Sequence, residues 1–342
     1  MTDRATDERR MEETPAPESV LAAAGRSSGE DALPPVPADD RRPTFVHRLE
    51  HLAFTGGTVL GRLLGDAASA RLGAAIGRLG YRPLGIRRGL VESHLRAAFP
   101  DADDEWIAAT ATSSYAHLGR EMIALLRLAD LSRGALLARS RLEGLPALRS
   151  ALERGNGVVI AAGHFGNWEI GAAILAAHDV PIDIVAQRQH NPLFDRAIIA
   201  ARHRLGVGVI ERSQATRLAL RALRRGRAVA FGADQNAGRT GVFVPFFGRL
   251  ASTHRGAAVM ALRTEAPIFL AVPLRAGSGY AMRVEEVAMD RGGEPEQVIA
   301  RLTAAFTARL EAAVRAEPGQ YLWHHRRWKT RPPEERNDGS AV

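Results

Sequence analysis

From residue 157 onward the chain repeats one pattern, a short apolar and partly β-branched run followed by a turn and a segment of helical length. Runs at 157–162, 182–186, 207–210, 228–232 and 267–273 read as buried strands, with 168–177, 192–205, 215–225, 253–264 and 297–316 alternating between or after them. Such alternation predicts βαβ units, hence an α/β fold whose mostly parallel central sheet is flanked by helices on both faces. In sheets of this kind ligands gather at the carboxyl ends of the strands, so residues just after each apolar run are the first candidates for chemistry. No internal repeat, P-loop or Gly-x-Gly-x-x-Gly is present, and no nucleotide cofactor is indicated.

The most reactive of these strand ends is Gly163-His164-Phe165-Gly166-Asn167-Trp168-Glu169. His164 falls at the end of the run 157–162, and Glu169 sits in the first turn of the helix that follows. A neutral imidazole takes a proton from a hydroxyl near pH 7, and a carboxylate beside it fixes its tautomer and stabilises the imidazolium. The spacing therefore predicts His164 as a general base oriented by Glu169. With no cysteine and no Gly-x-Ser-x-Gly, direct attack by a substrate hydroxyl is favoured over a covalent intermediate. On the residues alone, a satisfied loop histidine and a helix-terminal charge remain the plainer alternative. A metal site is disfavoured, since no further His or Cys follows at ligand spacing.

Arg188 follows the run 182–186 and is a candidate for an anionic substrate group, because guanidinium binds phosphate through two parallel hydrogen bonds. Asp234, beside Gln235, follows the run 228–232 and is placed to orient an arginine or bind substrate hydroxyls; sequence spacing ties Glu169, rather than Asp234, to His164. Phe243, Pro245, Phe246 and Phe247 form a dense apolar loop between Gly241 and Gly248, suited to line an acyl chain or to fill a core. Tyr321, Trp323 and Trp328 interleave with Arg326, Arg327, Lys329 and Arg331, the ingredients of nucleic-acid stacking or of a membrane interface.

Residues 1–42 carry six arginines against ten Asp and Glu, a net charge of −4, and so few periodic apolar positions that disorder is expected. Residues 43–342 are then strongly basic at +12, which favours an anionic partner. The expected organisation is one catalytic domain at 43–333, its part at 43–130 helical and membrane-associating, followed by a flexible tail at 334–342. Absence of cysteine fits a reducing compartment, and the first residues show no secretory signal. No 18-residue apolar stretch spans a bilayer, but 45–84 mixes apolar residues with Arg48, Arg62, Arg71 and Arg78 in the manner of amphipathic helices. Two further helices are expected around Phe99-Pro100-Asp101, with Asp101 or Asp103 capping the second.

The heptapeptide at 163–169 resembles the His-x4-Asp/Glu motif of the bacterial lipid A biosynthesis (lauroyl/myristoyl) acyltransferases. Four stretches agree in order: Gln187-Arg188-Gln189-His190-Asn191-Pro192-Leu193, Asp234-Gln235-Asn236-Ala237-Gly238, Val242-Phe243-Val244-Pro245-Phe246-Phe247-Gly248, and Gln320 to Pro332 with its Trp-His-His-Arg-Arg-Trp-Lys core. The resemblance covers about residues 45–333 and implies a glycerolipid acyltransferase-like fold. It implies transfer of a fatty acyl group from an acyl carrier protein or coenzyme A thioester to a hydroxyl of a lipid A precursor or related glycolipid or lysophospholipid. His164 and Glu169 would be catalytic, with Gly166, Asn167, Arg188, Asp234, Gln235, Phe246 and Phe247 binding substrate and backbone amides near Gly166, or Arg188, stabilising the oxyanion. Neither metal nor cofactor is implied, nor nucleic acid as a partner. The anionic cytoplasmic face of the inner membrane is the expected location, with peripheral or monotopic attachment. The chain departs from the family in lacking a more hydrophobic N-terminal anchor and in carrying Ser93-His94-Leu95 where Asn-Leu is usual. Two alternatives stand beside this expectation: a basic surface-binding protein that keeps the fold without catalysis, and a metal-dependent hydrolase built on His164, Glu169 and Asp234.

Overall fold

The computed structural model describes residues 39–333; most of the acidic segment 1–42 and the tail at 334–342 lie outside the described residues. The described residues open with four α-helices, α1 (Phe45–Tyr81), α2 (Arg88–Ala98), α3 (Asp104–Leu126) and α4 (Arg133–Ala138). Strand β1 (Ser140–Glu143), α5 (Leu145–Glu153), β2 (Val158–Ala162), α6 (Trp168–Ala177), β3 (Ile182–Ala186), α7 (Pro192–Arg204), β4 (Gly208–Glu211), α8 (Ala215–Arg224) and β5 (Ala228–Gly232) then alternate. A hairpin of β6 (Val242–Phe246) and β7 (Arg249–Thr253) precedes α9 (Gly256–Thr264), β8 (Ile268–Ala276), β9 (Gly279–Val287) and α10 (Pro295–Ala316).

Seven strands form one sheet in the order β1-β9-β8-β2-β5-β3-β4. The block from β8 to β4 is parallel, whereas β9 runs antiparallel to β8 and carries β1 parallel to itself at the edge. The expected mostly parallel α/β sheet is therefore what forms. Its central strand shows why: Val159 and Ala161 of β2 point into one apolar core, Val158 and Ile160 into the other, so both faces need helical cover. Helices α8, α9 and α10 cover the first face and α5, α6 and α7 the second.

Local chemistry starts the helices where expected. The Asp103 carboxylate accepts from Trp106 N–H at 2.7 Å to cap α3, and Asn191 caps α7 with Pro192 in its first turn. Helix α1 bends at Gly65, whose φ of 70° lies outside the helical region. Beyond the bend α1 crosses α3 so closely that a Cβ on Gly73, Gly77 or Gly119 would overlap the facing backbone. The first half of α1 also meets the end of α3, where Thr58 Oγ1 donates to Leu126 C=O at 3.2 Å, and meets α7 through an edge-on contact of Phe54 and Phe194 at 5.0 Å.

Two readings of the sequence are corrected here. The apolar stretch 242–248 is no loop but the first arm of a hairpin, turned at Phe247-Gly248, where both residues take positive φ as a two-residue reversal requires. Strand β9, absent from the expected alternation, pairs with β8 along its whole length; Tyr280, Met282 and Val284 alternate onto one apolar core and Val287 falls on the other.

His324 packs edge-on to Tyr115 at 4.3 Å, and neither of its ring nitrogens has a hydrogen-bond partner. Burial, with the nearby Arg87 charge, pushes its pKa down to about 4. The buried neutral ring therefore contributes stability that is complete above its unfolded value of about 6.5 and is lost as pH falls toward 4. His324→Leu is expected to flatten the decline of the urea midpoint between pH 6.5 and 4; an unchanged slope would show that this histidine does not govern the acid limb.

Candidate active site

The sheet order places the carboxyl ends of β2, β5 and β3 side by side, and each end delivers one of the expected residues: His164, Asp234 and Arg188. Strands β2 and β5 finish level, with Ala162 opposite Gly232 and Ala233 N–H donating to Ala162 C=O at 2.8 Å. Asp234 thereby meets His164 twice. Its Oδ1 accepts from imidazole Nδ1–H at 2.7 Å and its Oδ2 from the His164 backbone N–H at 2.7 Å.

Glu169 does not orient the imidazole, contrary to the sequence expectation. It lies in the first turn of α6, where the helix carries its side chain to α7; there Arg202 grips it through Nε at 2.9 Å and a terminal nitrogen at 2.5 Å. Only its charge reaches His164. Burial by itself would push the imidazole pKa down, but the Asp234 charge and hydrogen bond, helped by Glu169, hold it above the ordinary value. With Glu169 in the Arg202 fork, His164, Glu169 and Asp234 do not converge as ligands, and among the described residues no group of three His, Cys, Asp or Glu is arranged to hold a metal ion.

Because a carboxylate only accepts, Nδ1 carries the proton and Nε2 of the neutral ring presents a lone pair. The side-chain amide of Gln235 faces that nitrogen at 3.2 Å. Trp168 leans on the ring at 4.7 Å between centroids. The turn itself needs Gly166, since its φ is +60° and a Cβ would run into Pro273 C=O. Of the backbone amides near Gly166, expected to stabilise an oxyanion, two are already engaged: Gly166 N–H donates to Gln320 C=O at 3.0 Å and Asn167 N–H to Pro273 C=O at 2.9 Å. Asn167 instead caps α6, accepting from Ile170 N–H at 2.9 Å.

Helix α3 supplies a wall that sequence reasoning missed. The buried Glu121 takes Asn167 Nδ2 at 2.6 Å, the Tyr280 hydroxyl at 2.8 Å and the Arg275 guanidinium, while His117 Nε2 donates to Gly166 C=O at 3.1 Å. Burial alone would raise the Glu121 carboxyl, yet the Arg275 hydrogen bond and charge hold it below its usual range. One signal was available: His117 and Glu121 stand four apart on a helix, on the same face as Ser114, Leu118 and Leu125. That face, with Trp168 and Leu322, borders a narrow apolar cleft onto which His164 opens.

Other expected residues lie elsewhere. Arg188 sits against Glu211 at 3.1 Å, Asp195 at 3.4 Å and Asp39 at 3.5 Å, so its charge is already matched by carboxylates. Phe246 and Phe247 do not line the cleft; both are buried among Phe99, Trp323 and Trp328, because β6 turns that arm of the hairpin onto α10. Tyr321, Trp323 and Trp328 are likewise core residues rather than an exposed stacking platform.

A sequence model of the bacterial lipid A biosynthesis acyltransferases matches residues 43–330. The lipid A biosynthesis lauroyltransferase of Escherichia coli K12 is 26% identical over 268 residues, covering 77% of this chain and 85% of the relative. The phosphatidylinositol mannoside acyltransferase of Mycolicibacterium smegmatis is 29% identical over 283 residues, covering 80% and 88%. The lipid A biosynthesis palmitoleoyltransferase of E. coli K12 is 26% identical over 265 residues, covering 76% and 85%.

The geometry separates the two carboxylates. In nitrogen-15 NMR of the histidine rings, wild-type His164 is expected to titrate above its ordinary value, Asp234→Asn to drop it below, and Glu169→Gln to lower it only slightly. A larger displacement in Glu169→Gln than in Asp234→Asn would reverse the assignment.

Proposed function

The chain belongs to the bacterial lipid A biosynthesis acyltransferase family and is an acyltransferase, and from that premise we propose that His164 and Asp234 are its catalytic pair, acting on a hydroxyl of a glycolipid. The observation that carries this reading is an Asp-oriented imidazole that borders a cleft lined by Leu118, Met122, Leu125 and Trp168, with its Nε2 facing the Gln235 amide. A hydroxyl replacing the Gln235 amide at Nε2 loses its proton there as its oxygen attacks the thioester carbonyl. The tetrahedral intermediate then expels the thiolate, which takes the proton back from the imidazolium, so an ester and a free thiol leave. Asp234 holds the tautomer and stabilises the imidazolium, while Gln235, released from the ring, stands next to the reacting atoms as a donor for the oxyanion. Glu169 and Arg202 lock α6 to α7, and the Glu169 carboxylate adds a minor favourable field at the imidazole.

The apolar cleft supports a fatty acyl group as cargo, since each methylene it covers contributes about 0.8 kcal/mol. The relatives named for lipid A and phosphatidylinositol mannosides support a glycolipid hydroxyl as acceptor, and acyl carrier protein or coenzyme A as the thioester donor completes the reading. On α1, Phe45, Leu49, Leu52, Leu60 and Leu63 are all exposed and fall along one stripe at helical spacing. No helix among the described residues is long and apolar enough to cross a membrane. The stripe and the net charge of +12 on residues 43–342 support peripheral attachment to an anionic lipid surface, the cytoplasmic face of the inner membrane.

With an acyl-thioester donor and glycolipid acceptor, His164→Ala is expected to abolish transfer and Asp234→Asn to reduce it about 10⁴-fold by forcing the wrong tautomer. Folded variants that transfer at the wild-type rate would sink the mechanism. Leu49→Asp with Leu63→Asp is expected to release the protein from anionic vesicles in sedimentation while turnover on detergent-dispersed substrate persists; unchanged vesicle binding would remove α1 as the attachment face.

A further inference from the structure

The segment 320–330 crosses the carboxyl edge of the sheet and holds both halves of the catalytic pair. Toward β2, Leu322 N–H donates to His164 C=O at 3.0 Å and Gln320 C=O accepts from Gly166 N–H at 3.0 Å. Toward β5, His325 Nε2 accepts from Asn236 N–H at 2.9 Å and Thr330 N–H donates to Asn236 Oδ1 at 3.2 Å. Between these anchors Arg327 turns inward and is only 2% exposed.

Its surroundings are unusual for a buried cation. The terminal nitrogens donate to Ser252 C=O at 2.7 Å and Thr253 Oγ1 at 2.5 Å, both neutral acceptors, and Nε has no hydrogen-bond partner. The guanidinium also lies 5.2 Å from the centre of the Phe246 ring. Ser252 and Thr253 are the residues that clasp the loop after Asp234, since Asn236 bridges to Thr253 and Ala237 N–H donates to Ser252 C=O at 3.2 Å. Arg327 is thus fixed against the stretch that begins two residues beyond Asp234. Burying a guanidinium with no carboxylate bonded to it is costly, so its charge must be answered from nearby. Burial disfavours its charge, which the fields of Tyr321 and of the Asp234 carboxylate favour.

We propose that Arg327 is the countercharge of the His164–Asp234 pair, a positioning residue that offsets part of the Asp234 field and so sets the pH at which His164 becomes a free base. The other groups facing the pair are Glu169, Tyr321, His254 and His325. Burial holds both of these histidines below their ordinary values and the Tyr321 hydroxyl well above its own, so all three are neutral near pH 7. Glu169 is matched by Arg202. Arg327 remains as the permanent cation acting on Asp234.

Removing it leaves Asp234 free to hold the imidazolium more strongly. In Arg327→Gln the His164 ring titration, and with it the acid limb of kcat/KM, is expected to move to higher pH by roughly one pH unit. Arg327→Met, which fills the space without a charge, should do the same, and Arg327→Lys should restore the wild-type profile. A purely structural arginine would lower kcat at every pH with the titration unmoved, and that result overturns the proposal. If neither neutral variant folds by near-ultraviolet circular dichroism, Thr253→Ala, which frees the guanidinium to swing from Asp234, carries the same expectation at smaller amplitude. The proposal rests on His164 as the base of acyl transfer, yet ring titration reads without turnover. A displaced titration in a protein that moves no acyl group would sink the acyl-transfer reading and keep the countercharge; an unmoved titration in an active enzyme would sink the countercharge alone.

Discussion

Everything in the site hangs on one contact, the two-point grip of the Asp234 carboxylate on His164. One oxygen fixes the imidazole and the other fixes the backbone that carries it, both at 2.7 Å. This is possible because β2 and β5 are parallel neighbours that end at the same level, so two loops leave the sheet together. A one-residue slip in that register would turn Asp234 to the opposite face. The sheet is thus the positioning device, and the hydrophobic cores on its two faces keep its strands in step.

Around this contact the fold places ionised groups in fully or nearly enclosed pairs. Glu169 with Arg202 ties α6 to α7, Glu121 with Arg275 ties α3 to the end of β8, and Asp183 with Arg227 ties β3 to the start of β5. Buried pairs of this kind add little net stability, because desolvation offsets most of the Coulomb attraction. Their contribution is geometric. Each one ties two elements in an arrangement in which neither charge is stranded, and the turn 163–169 is bounded by two of them. The C-terminal segment closes the same turn from above, taking up the backbone amide of Gly166 that would otherwise be unpaired.

Much of this was legible along the chain. The strands at 182–186 and 228–232, the cap at Asp103, the helix opened by Trp168 and the strand-end position of His164 all follow from patterns a few residues long. The hairpin at 242–253 was misread because Phe247, a bulky residue at φ 53°, is an unusual choice for a turn and hides the signal that Gly248 alone gives weakly. Glu121 was invisible as a site residue because its role depends on Asn167, Arg275 and Tyr280, which lie 46, 154 and 159 residues away.

The carboxylate partner of His164 marks the boundary most clearly. By itself the sequence determined that a histidine would stand at a strand end, with one carboxylate five residues on and another after a later strand, because strand termini and helix first turns are set by local propensity and spacing. Which carboxylate meets the imidazole was decided only by the tertiary structure. Helical geometry carries the nearer one, Glu169, away to Arg202, whereas sheet order brings the farther one, Asp234, 70 residues on, into direct contact. Distance along a chain governs what a helix turn can reach, but neighbouring strands of a parallel sheet are chosen by how crossovers pack on its two faces.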